Sequence, residues 1–363
     1  MSNHIYIFLV FALCLLCVSI GCDDKDTDTP DRNTSSGATK APGDTDPAAS
    51  DKDRALEYNI AGIKEILKMT GHADSVGDIA FSPDSKTLAS ASSDETIKVW
   101  DVATGKIKFT IDCNVDDGCQ EVSSVAISFD GKILASGCAD GIVTLWNAAN
   151  GKKLFPLDGH DGYAVNCVAF SPDGQILAVG DAYQRIKLWD VAKRTVIRPL
   201  TGHGGDLRSL AFSPDGKTLA SGSEDEKVKL WNVADGSEII TLFGHTGTVY
   251  SVVFSPDGKT LASGSYDGSA KLWDVASHEE IATLREGVGG IVSSVSFSRS
   301  GKTLAVGGDD GEIKLWDIAS GKKIATLSGQ GKFVTCVAFS PDGKTLATGN
   351  ASNTIQLWGV VKP

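Results

Sequence analysis

All seven tryptophans of this chain fall in register, at 100, 146, 189, 231, 273, 316 and 358. The gaps between them are 46, 43, 42, 42, 43 and 42. Nineteen residues before each lies a Phe or Ile: Phe81, Ile127, Phe170, Phe212, Phe254, Phe297 and Phe339. A distance kept through seven copies means that everything between the two residues is one rigid unit. Length alone would suggest about two domains, but a repeat of this period overrides that expectation.

The best-preserved copy runs from Leu242 to Leu284. Its apolar residues alternate, as in Val249-x-x-Val252-Val253-Phe254 and Leu261-Ala262-Ser263, and many are β-branched. Period two with such residues predicts strands. A Ser-Pro-Asp-Gly turn separates the two runs, here and at 171–174, 213–216 and 340–343. Pro presets φ and Gly accepts positive φ, so the chain reverses tightly. Four strands fit each unit: in this copy Val249–Ser255, Thr260–Ser265, Ser269–Asp274 and Glu280–Leu284. One such sheet cannot bury both faces, but seven stacked around an axis can.

Gly-His followed 28 residues later by Trp resembles the WD-repeat β-propeller family, and His72 to Trp100, His203 to Trp231 and His245 to Trp273 keep that spacing. The resemblance spans roughly residues 60–363 and implies an all-β, seven-bladed propeller of four-stranded antiparallel blades. The last copy stops after its third strand, at Trp358-Gly359-Val360-Val361-Lys362-Pro363. Ile63-Lys64-Glu65-Ile66-Leu67-Lys68-Met69 matches the missing fourth strand, so the resemblance implies that an N-terminal strand completes the last blade.

The resemblance also assigns the polar residues. It implies a buried hydrogen-bond chain within a blade, with complete sets at His72-Ser90-Asp94-Trp100, His203-Ser221-Asp225-Trp231 and His245-Ser263-Asp267-Trp273. A His/Asp/Ser trio invites a hydrolase reading, but a staple recurs where an active site is unique. Other copies depart from the pattern: His160 fills the slot in the third, Tyr183 replaces its turn Asp, and the seventh carries Gln330 and Ser352. Two sets of positions vary while their neighbours do not. One follows the first apolar residue of each first strand, from Gly77 to Thr335. The other precedes the turn Asp, from Ser93 to Ala351. In the family both face the narrow end of the channel, where peptides and proteins dock. The large residues cluster in the third to fifth copies: Tyr183, Arg208, Glu224, Tyr250 and Tyr266. Tyr and Arg are enriched where binding energy concentrates, so these five are the expected partner-binding residues, against ordinary surface variation.

Outside the repeat, Ile5 to Ile20 is nearly all apolar, short for a membrane span and suited to a secretory signal. It ends at Ser19-Ile20-Gly21-Cys22, which resembles a bacterial lipobox with Cys22 as the lipidated residue; an uncleaved anchor and an ordinary secretory signal are the alternatives. Residues 23–58 are acidic and lack apolar periodicity, which predicts a disordered linker. The expected division is therefore signal 1–22, linker 23–58 and propeller 59–363, with the protein membrane-anchored in a cell envelope. Cys113 and Cys119 bracket the longest deviation in the array. In an exported protein they suggest a loop-closing disulfide, against two thiols. A metal site is disfavoured because no matching pair lies near them in sequence. Formal net charge is −12, which argues against non-specific nucleic-acid binding. No Gly-rich phosphate loop, His-Glu-x-x-His or Gly-x-Ser-x-Gly is present. The expected function is a monomeric, cofactor-free interaction scaffold, not an enzyme. The alternative is a channel-binding small-ligand sensor or a hydrolase-like propeller enzyme.

Overall fold

The computed structural model describes residues 62–114, 119–157, 162–285, 290–329, 331 and 333–360. The signal and linker readings, Cys22, His160 and Gln330 lie outside these residues. The described strands form seven four-stranded antiparallel sheets. The innermost strand of each is β2 (Val76–Phe81), β6 (Val122–Ile127), β10 (Val165–Phe170), β14 (Leu207–Phe212), β18 (Val249–Phe254), β22 (Val292–Phe297) or β26 (Val334–Phe339). Each packs on the next, and β26 packs back on β2, so the sheets close a ring.

The closing blade has the strand order β1-β28-β27-β26, with β1 (Ile63–Thr70), β27 (Thr345–Asn350) and β28 (Thr354–Val360). Antiparallel pairs run from Ile63 with Val360 to Thr70 with Thr354. The strand that the last copy lacks is thus supplied from residues 63–70, as the sequence match implies.

Seven apolar clusters hold the ring, each between two neighbouring blades. The seam between the last blade and the first joins Met69, Ala347, Ile355 and Leu357 to Val76, Leu88 and Trp100, all buried. It has the same make-up as an interior interface such as Leu200, Leu207, Leu219 and Trp231. The alternating pattern puts Leu88, Leu219 and their counterparts against the preceding sheet, which is why a lone blade would leave them wet.

The reversals follow turn chemistry. Gly131, Gly174, Gly216, Gly258, Gly301 and Gly343 all hold φ between 69° and 72°, the region that favours glycine. In the first blade Ser85 takes φ 60° instead. Most turns are pinned by their serine: Ser213 Oγ donates to Asp215 at 2.6 Å and accepts the Thr218 N–H at 3.0 Å.

Candidate interaction face

Every innermost strand carries a register shift after its first residue, between Val76 and Asp78 in the first blade and Val334 and Cys336 in the last. The skipped residues are Gly77, Ser123, Asn166, Arg208, Tyr250, Ser293 and Thr335, the first variable set. A bulged residue leaves the ladder and is free to aim elsewhere. Asn166 Nδ2 donates to the Leu207 carbonyl of the next blade at 2.9 Å. Ser123 donates likewise to Val165, Ser293 to Val334 and Thr335 to Val76 across the closing seam. Four of the seven positions are therefore clasps between blades. Arg208 makes no such clasp; it pairs with Glu224 in its own blade.

The second set lies in the turn after each second strand. Its backbone N–H is tied in all seven blades to the loop before the innermost strand, as Glu224 N–H to Asp206 O at 2.9 Å and Tyr266 N–H to Thr248 O at 2.8 Å. With the backbone fixed, only the side chain changes from blade to blade. The loops before the innermost strands and these turns make one face of the disc.

Beneath this face lie the polar chains. Trp231 Nε1 donates to Ser221 Oγ at 2.8 Å, His203 Nε2 meets the same hydroxyl at 2.7 Å, and His203 Nδ1 meets Asp225 at 2.8 Å. Distances in the sets of His72 and His245 match within 0.1 Å. The three histidines are buried. Burial alone would raise the Asp225 carboxyl, but bonds from His203, the Gly204 N–H and the Lys227 N–H outweigh it and hold it at about 2. Asp94 and Asp267 are pulled down in the same way. Ser90, Ser221 and Ser263 are fully buried and each also accepts its tryptophan's indole N–H, the same staple in three blades.

Three adjacent blades, the third to the fifth, carry the large side chains on this face. Tyr183 stacks on Tyr163 with ring centroids 4.3 Å apart and planes 21° from parallel. The Arg185 guanidinium lies 5.1 Å and 5.2 Å from the two ring centroids. Its Nε donates to the fully buried Asp181 carboxylate at 3.0 Å. Tyr183 is nevertheless 54% exposed. In the next blade Arg208 serves Glu224 and stands 4.0 Å from Asp206. Burial, and then the charge of Glu224, push the Asp206 carboxyl up despite Arg208. Tyr266 is exposed on the fifth blade and Tyr250 is half-buried at its bulge. The structure thus joins Arg208 to Glu224 directly, while Tyr183 groups with Tyr163 and Arg185.

Family comparison settles the class. A model described as the IFT122 first beta-propeller matches residues 164–362. The WD domain, G-beta repeat model matches 63–101 and 105–147. The chain belongs to the WD-repeat β-propellers. Protein Mut11 of Chlamydomonas reinhardtii is 37% identical over 70 residues, 18% of this chain and 19% of its own length. Ribosome assembly protein 4 of Saccharomyces cerevisiae is 42% identical over 59 residues, 16% of this chain and 12% of its own. Pre-mRNA-splicing factor PRP46 of Yarrowia lipolytica is 34% identical over 87 residues, 22% of this chain and 20% of its own. The matches thus span a fifth or less of these relatives.

One expectation is overturned in this WD-repeat protein. The bridge joins Cys119 to Cys138, not Cys113 to Cys119, with Cα atoms 6.1 Å apart. The reason is register. Cys138 ends the second strand of its blade, where other blades have Ser92, Ser223 and Ser265. Those hydroxyls donate to the loop carbonyls of Asp74, Gly205 and Gly247 at 2.9–3.1 Å. The disulfide makes the same loop-to-strand tie covalently. Cys113 is buried nearby, outside the bridge. The same slot explains what sequence reading missed in the third blade. It holds Asp181 there, and a buried carboxylate needs partners, which Arg185 and two backbone N–H groups supply.

Proposed function

We propose that this propeller is a non-enzymatic protein-interaction scaffold whose partner docks on the face spanning the third to fifth blades. The observation that carries this reading is the exposed Tyr163–Tyr183 pair with Arg185 against it, held by buried Asp181, with the Arg208–Glu224 pair on the adjacent blade. Rigid aromatics with little entropy left to lose are the chemistry that anchors partners. The WD-repeat relatives named for ribosome assembly and pre-mRNA splicing support a role within protein assemblies.

Tyr183 and Tyr266 are exposed, so Tyr183→Ala with Tyr266→Ala should leave a cooperatively folded protein, destabilised by about 1 kcal/mol for the lost ring stack. The double variant should lose partner capture in an affinity purification from the native cell by at least tenfold; undiminished capture would sink the assignment. We further propose that Cys22 is lipidated and that residues 23–58 tether the propeller to a membrane. The apolar run before Cys22 and the acidic composition after it support this. Labelled fatty acid should enter the full chain and not Cys22→Ser; equal labelling of both removes the anchor.

A further inference from the structure

The disulfide corner of the second blade has a chemistry that the oxidised bridge conceals. The Sγ atoms of Cys119 and Cys138 and a carboxylate oxygen of Asp140 all lie within 4.8 Å of one another. Both cysteines are buried and Asp140 is half-open. The carboxylate is steered from outside: the Gln120 N–H donates to Oδ2 at 3.3 Å and the Ile142 N–H to Oδ1 at 3.4 Å. Cys113 shares the apolar cluster with both bridge cysteines, and its carbonyl accepts the Cys119 N–H at 3.3 Å. Two thiols and a carboxylate in this array are the donor set of a small divalent ion. Sequence spacing hid the set, because its members come from the loop before β6 and from the far end of β7 (Ile133–Cys138).

We propose that, when the bridge is reduced, Cys119, Cys138 and Asp140 bind a soft divalent transition ion of the zinc class. Thiolates select such ions over calcium and magnesium, which take oxygen. Tetrahedral zinc at about 2.3 Å from each sulfur sets the sulfurs about 3.8 Å apart, near the van der Waals contact that two unbonded sulfurs keep once the bridge is cut. A fourth ligand comes from solvent on the half-open side of Asp140. The chemistry balances with a dithiol reductant. Its two thiols give two electrons and two protons and leave as a cyclic disulfide, while Cys119 and Cys138 become thiols. Ion binding then releases those two protons, and two thiolates and one carboxylate face the 2+ charge. The loop before β6 stays tied to β7 in either state, by a covalent bond when oxidised and by the ion when reduced.

The test uses the full chain, reduced with dithiothreitol, desalted without oxygen and titrated with Co²⁺. The expected result is a saturable thiolate-to-cobalt charge-transfer band at one ion per chain, displaced by Zn²⁺ and missing from the oxidised protein. Cys138→Ser should abolish the band. Asp140→Asn, which keeps both sulfurs, should weaken binding at least tenfold. Zn²⁺ should also raise the melting temperature of the reduced wild type. No band in the reduced wild type, a band that survives Cys138→Ser, or an Asp140→Asn variant that binds like wild type would each overturn the site. Partner capture plays no part in these readouts, so the outcome is independent of the scaffold reading.

Discussion

Trp231 and Trp316 occupy equivalent places in two blades and meet different neighbours. Trp231 donates its indole N–H to Ser221. In the sixth blade Val306 stands where the serine would be, and the Trp316 N–H is buried without a hydrogen-bond partner among the described residues. Thr348 shows that a threonine fits the slot, since it takes the Trp358 N–H at 3.3 Å. Val306→Thr should therefore stabilise the protein by about 1 kcal/mol, the net worth of a buried hydrogen bond. A urea midpoint that fails to rise would show that the hydroxyl cannot reach. Asp225 makes the second residue-scale prediction. Its carboxyl sits at about 2 in the fold and at about 3.9 in the unfolded chain. A carboxyl held down by folding contributes stability that is full above about pH 4 and is lost as pH falls through about 2. Asp94 and Asp267 act in the same direction. Urea midpoints should fall steeply from pH 5 to pH 2, and less steeply in Asp225→Asn; parallel slopes would refute the linkage.

At the scale of the strand, β1 has the largest single consequence. It covers β28 along its length and supplies Met69 to the closing seam. Removing residues 62–70 would uncover the β28 backbone and open that seam, so the shortened chain should unfold or aggregate. A truncated protein that melts with the parent would disprove the closure. This strand was readable in the sequence because its Ile-x-x-Ile-Leu-x-Met pattern repeats what other outer strands show. The blades were readable for the same reason, since each must present a Trp and a Phe or Ile to its neighbour at one spacing. The candidate face was only half legible. Tyr183 and Tyr266 betrayed themselves as aromatics that no blade needs, whereas the serines and threonine of the first variable set turned out to be clasps. Whether a hydroxyl points into a channel or across to the next carbonyl depends on a bulge, and alternation does not report bulges. The Cys119–Cys138 bridge was hidden because proximity across a blade is a matter of register, not of spacing along the chain.

The whole disc is electrically lopsided. Acids crowd the described loops of the candidate face, among them Asp74, Glu95, Glu121, Glu226, Asp309 and Glu312. The first turns of the opposite face are balanced instead: their lysines stand beside turn aspartates, as Lys132 with Asp130 at 3.1 Å and Lys344 with Asp342 at 3.4 Å. Such a field turns an approaching charged body before contact and weakens with salt.

The closing seam also gives the ring a direction of mechanical weakness. Ile63 and Val360 face each other at one end of the β1–β28 pair. Tension between those two residues would peel the pairs apart one at a time, from Ile63 toward Thr70. Tension between Ile63 and the turn at Ala351, at the start of β28, would instead slide β1 along β28 and strain many pairs together. Single-molecule pulling from 63 against 360 should thus rupture at clearly lower force than pulling from 63 against 351, and equal forces would contradict the zip-like seam. A propeller held by its first strand and loaded through a partner on its face would be gripped in the stronger sense.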